Sequence, residues 1–174
     1  MKRANQSAKL VLVTATLLIL AGGPLATSAL ATSRTVRNCP ASQLRLQSVD
    51  MQSANGHSYI DYAFSTIGTT RCSLRGYPGA VLLNKHGQMI PSPHATVGQW
   101  PLSMLRTVVV SKGQPAFFTF TWVAGSFCPG AFTFYGLRVT PPPDATSFRW
   151  QLGNTSACVS SAWVSPVRPK LFPF

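Results

Sequence analysis

The run Cys72-Ser73-Leu74-Arg75-Gly76-Tyr77-Pro78-Gly79 constrains the fold more than any other stretch. It sets a cysteine at the end of a strand and follows it with a Gly/Pro turn that launches the next strand. Glycine supplies the backbone freedom and proline the fixed φ that such a turn needs. The run reads as architecture, a crosslinked β domain, and not as an active site.

The chain holds four cysteines, with no Cys-x-x-Cys spacing. An even number in an exported chain points to two disulfides and away from a zinc centre. Sequence alone allows three pairings. Cys39 with Cys72 and Cys128 with Cys158 is the expected one, because it closes two sequential loops of about thirty residues, each restricting the unfolded chain by roughly 3 to 4 kcal/mol on the loop-entropy model.

Export is read from the first residues. Lys2, Arg3 and Lys9 are basic, Leu10 to Ala21 are apolar, and Ala29-Leu30-Ala31 offers a small-x-small cleavage site, the order of a secretory signal. The apolar stretch falls short of the about 20 residues a spanning helix needs, and Gly22-Gly23-Pro24 interrupts it, so cleavage before Thr32 is expected over retention as an anchor. This divides the chain into a signal peptide at 1–31, a linker at 32–38, one domain at 39–167 and a tail at 168–174, in which Arg168-Pro169-Lys170-Leu171-Phe172-Pro173-Phe174 either packs on the domain or frays. The expected location is extracellular or in the cell envelope.

Period-two alternation recurs through this domain, and no long segment keeps a helical period. Phe148, Trp150 and Leu152 alternate with Arg149 and Gln151 in a strand from Thr146 to Leu152. From Ala116 to Val123, Phe118, Phe120 and Trp122 face the core, with Thr119 and Thr121 outward. Ser111-Lys112-Gly113-Gln114 joins that strand to Arg106–Val110 as a hairpin. Further strands are expected at Leu44–Gln52, Ser58–Thr66, Ala80–Leu83, Gln88–Ile90 and Ala162–Val167, with a loop from Pro91 to Pro101. Phe132 and Phe134 keep one parity and Leu137 and Val139 the other, which predicts a β-bulge at Gly136. Eight or nine short strands describe an all-β, immunoglobulin-like two-sheet antiparallel sandwich, with a barrel as the alternative.

The early Cys39-Pro40, the Cys72–Gly79 run and Lys112-Gly113-Gln114-Pro115-Ala116 before a strand ending in Trp122 together resemble the secreted actinobacterial domain of unknown function 4232. The likeness covers nearly all of residues 39–167. It implies an exported or envelope-attached β domain and implies no activity. One departure is that Thr66-Ile67-Gly68 stands where the family carries Asn-x-Gly, so a turn capped there by an amide would be capped by a hydroxyl.

Charge is lopsided, with fifteen Lys and Arg against three acidic residues. Losing Lys2, Arg3 and Lys9 with the leader lowers the formal net charge from +12 by three, to +9. Such a field favours anionic partners, an envelope polymer or protein or peripheral contact with a membrane surface. The cations stand singly along the chain, as solvated faces do. Nucleic acid is not expected, since export removes the opportunity and no groove-reading motif is present.

Candidate chemistry is sparse. A two-residue loop at Asn55-Gly56 sets Ala54 opposite His57, and hence Asp50 opposite Asp61, Met51 opposite Ile60 and Val49 opposite Tyr62. Two opposed carboxylates suit a retaining glycosidase or a hard-cation site, unless a nearby arginine neutralises them. A hydrolase or cation-dependent activity centred on Asp50 and Asp61 is therefore the competing class. His57, His86 and His94 with Met89 offer copper or zinc ligands, but all three imidazoles fall in turns or loops without metal-site spacing. No Gly-x-Ser-x-Gly elbow is present. No catalytic residue, metal or cofactor is assigned, and the chain is expected to be a non-enzymatic binding or structural module. Tyr77, Trp100, Trp163, Phe172 and Phe174, grouped near Arg75 or Arg168, would make a platform for a glycan or protein. The simpler role for Tyr77 is to cover a disulfide. Asn154-Thr155-Ser156 matches the N-glycosylation pattern by chance.

Overall fold

The computed structural model describes residues 35–91, 96–98 and 100–171. The expected signal peptide at 1–31, the start of the expected linker, His94, Phe172 and Phe174 lie outside them. The described chain forms strands β1 (Leu44–Ala54), β2 (His57–Thr66), β3 (Cys72–Leu74), β4 (Gly79–Leu83), β5 (Thr96–Val97), β6 (Val108–Val110), β7 (Ala116–Ala124), β8 (Phe132–Thr140) and β9 (Phe148–Val164), with three short 3-10 turns and no α-helix. A seven-stranded sheet runs β1-β2-β7-β9-β8-β4 with β5 added beside β9, and β3 pairs with β6 in a second, two-stranded sheet. Every pairing is antiparallel except that of β5 with β9.

Strand β9 organises the fold. Over 17 residues it pairs first with β8, from Phe148 to Ala157, and then with β7, from Ala157 to Val164. The sequence expectation was two strands here, Thr146–Leu152 and a separate final one at Ala162–Val167, where the structure has one that runs through Gly153 and Ser160. Both adopt positive φ, 76° and 57°, and they act as bulges that let one strand change partners. The two halves of the sheet then face each other across an aromatic core. Tyr62 meets Trp150 edge-on at 5.7 Å, Phe64 lies 6.1 Å from Phe148, and Phe120 meets Phe134 at 6.2 Å. Tyr62, Phe64, Phe118, Phe120 and Phe134 are fully buried, and each such side chain removed from water stabilises by roughly 1.5–3 kcal/mol.

The Asn55-Gly56 turn has φ of 52° and 80°, the two positive values of a two-residue hairpin loop. Ala54 faces His57 and Met51 faces Ile60 as expected, but a bulge at Val49 sets Ser48, not Val49, opposite Tyr62. The phase change in β8 also occurs where Gly136 stands, with a register shift between Phe134 and Gly136. A Cβ there would lie 2.4 Å from the Trp150 carbonyl oxygen, so the close approach of β8 and β9 requires glycine.

Three expectations are corrected. Cys72 opens β3 instead of ending a strand. Segment 106–110 does not form a hairpin ladder with β7: the Ser111–Gln114 turn forms, but β6 pairs with β3 while β7 pairs with β2 and β9. The turn thus carries the chain from one sheet to the other, which alternation within either strand does not encode. Segment 88–90 supplies only a single bridge, Leu83 to Met89.

The disulfides join Cys39 to Cys72 and Cys128 to Cys158, with Cα atoms 4.8 and 5.8 Å apart. The first lies beside backbone hydrogen bonds from Cys39 N–H to Ser73 C=O and from Ser73 N–H to Arg37 C=O, which seat the N-terminal segment against β3. Thr66 donates its hydroxyl to the Gly68 carbonyl at 3.3 Å, so a hydroxyl spans this turn.

Candidate functional site

The three carboxylates are each engaged within the protein. Asp50 and Asp61 face each other in the β1–β2 ladder, the adjacency the hairpin predicts. Their environments then diverge. Asp50 is exposed and accepts from the Met51 N–H at 2.8 Å and the Gln52 side-chain amide at 2.5 Å. Asp61 is 4% exposed and ion-paired through Oδ1 to Arg168 Nη2 at 2.8 Å. Thr119 donates its hydroxyl to the same oxygen and accepts from Arg168 Nη2 at 2.6 Å. Arg168 Nη1 donates to Ser165 Oγ at 2.7 Å, and that oxygen also accepts from the Thr119 N–H.

This closed node corrects two readings. Thr119 stands on the face away from Phe118 and Phe120, as expected, but is buried there, and Arg168 is neither an exposed tail residue nor a platform cation. Its backbone bonds Phe117 in both directions at 2.8 Å, which places its side chain over the outer face of β2 and β7. Burial pushes the guanidinium below its usual range, and the Asp61 charge and hydrogen bond oppose that shift. Asp144 is surrounded by amide donors, Ala41 N–H at 2.5 Å, Ala145 N–H at 2.6 Å and Thr146 N–H at 3.0 Å. Those hydrogen bonds, led by Thr146 and Ala41, hold its carboxyl below the usual carboxylate range.

The two described imidazoles stand in different surroundings. His57 is exposed and packs edge-on against Trp163 at 5.7 Å, while His86 sits in the Asn84–Gly87 turn with its N–H bonded to Asn84 Oδ1. The Met89 sulfur accepts from Arg138 Nη2. Among the described residues no group of three or more His, Cys, Asp or Glu is placed to hold a metal ion.

The aromatics do converge. Tyr77 donates its hydroxyl to the Gly98 carbonyl at 3.3 Å. A Cβ on Gly98 would lie 2.6 Å from Trp100 Nε1 and 3.4 Å from Trp163, so Tyr77, Trp100 and Trp163 meet around one bare glycine. All three are half-buried.

A second gathering escaped the sequence. A cavity of about 210 Å³ lies between the Asn84–Gly87 turn and the β8–β9 ladder, with Lys85, Tyr135, Arg149, Trp150 and Gln151 among its walls. Asn84 Oδ1 accepts from the His86 and Gln88 N–H groups and Asn84 Nδ2 donates to Gln88 Oε1, which fixes the turn that carries Lys85. Arg138 and Arg149 are direct ladder partners. In the sequence they stand alone, eleven positions apart on either side of a proline turn whose loop length sets the register; a hairpin count across residues 141–147 was the signal that would have paired them.

Among the described residues the one ion pair is that of Arg168 with Asp61. Every described Lys and Arg other than Arg138 and Arg168 is exposed. Cation-rich surface is therefore left without internal carboxylate partners.

No curated protein and no solved structure matches the chain. The sequence profile described as Domain of unknown function (DUF4232) matches residues 39–168, so the chain belongs to that family.

Proposed function

We propose that this protein is an exported or envelope-associated, non-enzymatic binding module whose partner is an anionic polymer or protein of the envelope, carried on an immunoglobulin-like two-sheet sandwich. The observation that carries the reading is the disposition of charge: each carboxylate is engaged internally, and the exposed cations face solvent without carboxylate partners among the described residues. An uncompensated surface field of one sign attracts polyanions and raises their encounter rate. Two disulfides fit an oxidising compartment, and no helix among the described residues is long and apolar enough to cross a membrane. Core contacts between the β2–β7 and β8–β9 halves support the sandwich.

The ladder register of Asp50 and Asp61 favours a second reading, a hydrolase or cation-dependent activity. A retaining mechanism needs one free acid and one free nucleophile, and Asp61 is bound to Arg168 and Thr119, which leaves it poorly placed for either role. Retention on dextran sulfate and polyglutamate resins, with uncharged dextran as control, tests the first reading. Binding to both charged resins that weakens steeply between low and physiological salt is the expected result; equal elution from charged and uncharged resin would overturn it.

A further inference from the structure

Arg138 and Arg149 are directly opposed on neighbouring antiparallel strands, where Cβ atoms stand about 5 Å apart and like charges destabilise the pair. No carboxylate relieves them among the described residues. Both side chains reach toward one turn. Arg138 Nη2 contacts the Met89 sulfur, and Arg149 Nη1 lies 3.1 Å from where a Cβ on Gly87 would stand. Lys85, on the same turn, lines the cavity together with Arg149, and Arg138 stands next to Arg149 outside that lining. Two cations lining one pocket, with a third beside them, repel each other and are relieved by an anion of more than one charge, to which the Arg149 fork and the Lys85 ammonium supply several donors.

The rest of the wall is not what a bare ion needs. Tyr135 offers aromatic surface, and Gln151 offers an amide. Aromatic faces beside amides suit a sugar ring, whose C–H face packs on the ring while its hydroxyls take hydrogen bonds. The volume, about 210 Å³, is below the roughly 300–1,000 Å³ of sites for drug-sized ligands, which limits the occupant to a single small unit.

We propose that this cavity binds one phosphorylated sugar residue, the phosphate held by Arg149 and Lys85 with the charge of Arg138 beside them, and the ring by Tyr135 and Gln151. The inference rests on the anion-binding reading above and gives it a place and a ligand class.

Calorimetric titration of the purified protein with glucose 1-phosphate, inorganic phosphate, glucose and glucuronate tests it. Glucose 1-phosphate is expected to bind best, at least about tenfold tighter than phosphate or glucuronate, with glucose undetectable. Arg149→Gln and Lys85→Gln each weaken it about tenfold or more, and Tyr135→Ala weakens the sugar phosphate while leaving phosphate unchanged. Arg138→Gln weakens binding less, through lost charge alone, and raises the thermal midpoint by relieving the opposed charges, so that weakening is not loss of fold. Equal affinity for phosphate and glucose 1-phosphate, or unchanged binding in Arg138→Gln/Arg149→Gln, overturns the proposal, as does a preference for phosphatidylglycerol vesicles that survives both substitutions. Arg45→Gln/Lys112→Gln, on a different face, is the control on the charged resins. If that pair and the Arg138/Arg149 pair reduce retention equally, the general reading stands and this site falls. A wild type that binds neither resin overturns both.

Discussion

Arg168 Nη2 stands 2.8 Å from Asp61 Oδ1, tying the end of the domain to β2 across 107 positions of sequence. Both side chains are nearly removed from solvent, at 11% and 5% exposure. Removing one partner strands the other charge. Arg168→Ala or Asp61→Ala is expected to lose about 3–5 kcal/mol in urea unfolding, whereas Asp61→Leu/Arg168→Met together lose far less. Asp61→Asn, which unpaired carboxylates would make stabilising, is expected to destabilise. A neutral result for the single substitutions would mean that the pair is solvated.

Gly136→Ala tests the β8–β9 approach. The added methyl would press on the Trp150 carbonyl at 2.4 Å, and the strands must part to admit it. A loss of at least about 2 kcal/mol is expected, with the cavity beside Gln151 disturbed. Wild-type stability in this variant would show that the bulge is plastic.

Tyr62 is fully buried and its hydroxyl has no hydrogen-bond partner; burial pushes its phenol well above the usual tyrosine range. Tyr62→Phe removes an unsatisfied polar atom and keeps the stacking on Phe118 at 5.2 Å. Stability is expected to be unchanged or to rise by about 1 kcal/mol. Because the folded value is raised, the neutral phenol's contribution is complete below the unfolded value of about 10 and is lost as pH climbs past it. The phenylalanine variant lacks that alkaline limb, which thermal midpoints between neutral and alkaline pH would show.

Asp144 supplies the opposite limb. Its folded value is depressed by amide hydrogen bonds from Thr146, Ala41 and Ala145, so its stabilisation is present above the unfolded value of about 3.9 and disappears as pH falls through the folded one. Asp144→Asn is expected to flatten the acid side of the stability–pH curve and to loosen the Ala41–Gln43 turn. An acid limb identical to the wild type's would assign it to other groups.

What could be read before folding was local. Alternation at Phe118, Phe120 and Trp122 marked a buried face, Asn55-Gly56 set a two-residue turn and with it the Asp50–Asp61 register, and the parity change around Gly136 marked a bulge. Each depends on residues within a few positions of one another, where side-chain period and turn stereochemistry act directly. The scarcity of acid groups was equally plain in the composition.

Only the tertiary structure decided which distant groups meet. Asp61 opposes Asp50 by local register but is bound to Arg168, because the segment after β9 docks on β7 and carries the guanidinium over a buried face. Arg138 opposes Arg149 because the turn across residues 141–147 sets the register in which β9 returns along β8, and β6 leaves β7 for β3 at a turn that looks like an ordinary hairpin. The strand pattern states which faces are apolar; bulges and sheet changes fix the register between remote strands, and a shift of one residue determines whether a charge meets a partner, another charge or solvent.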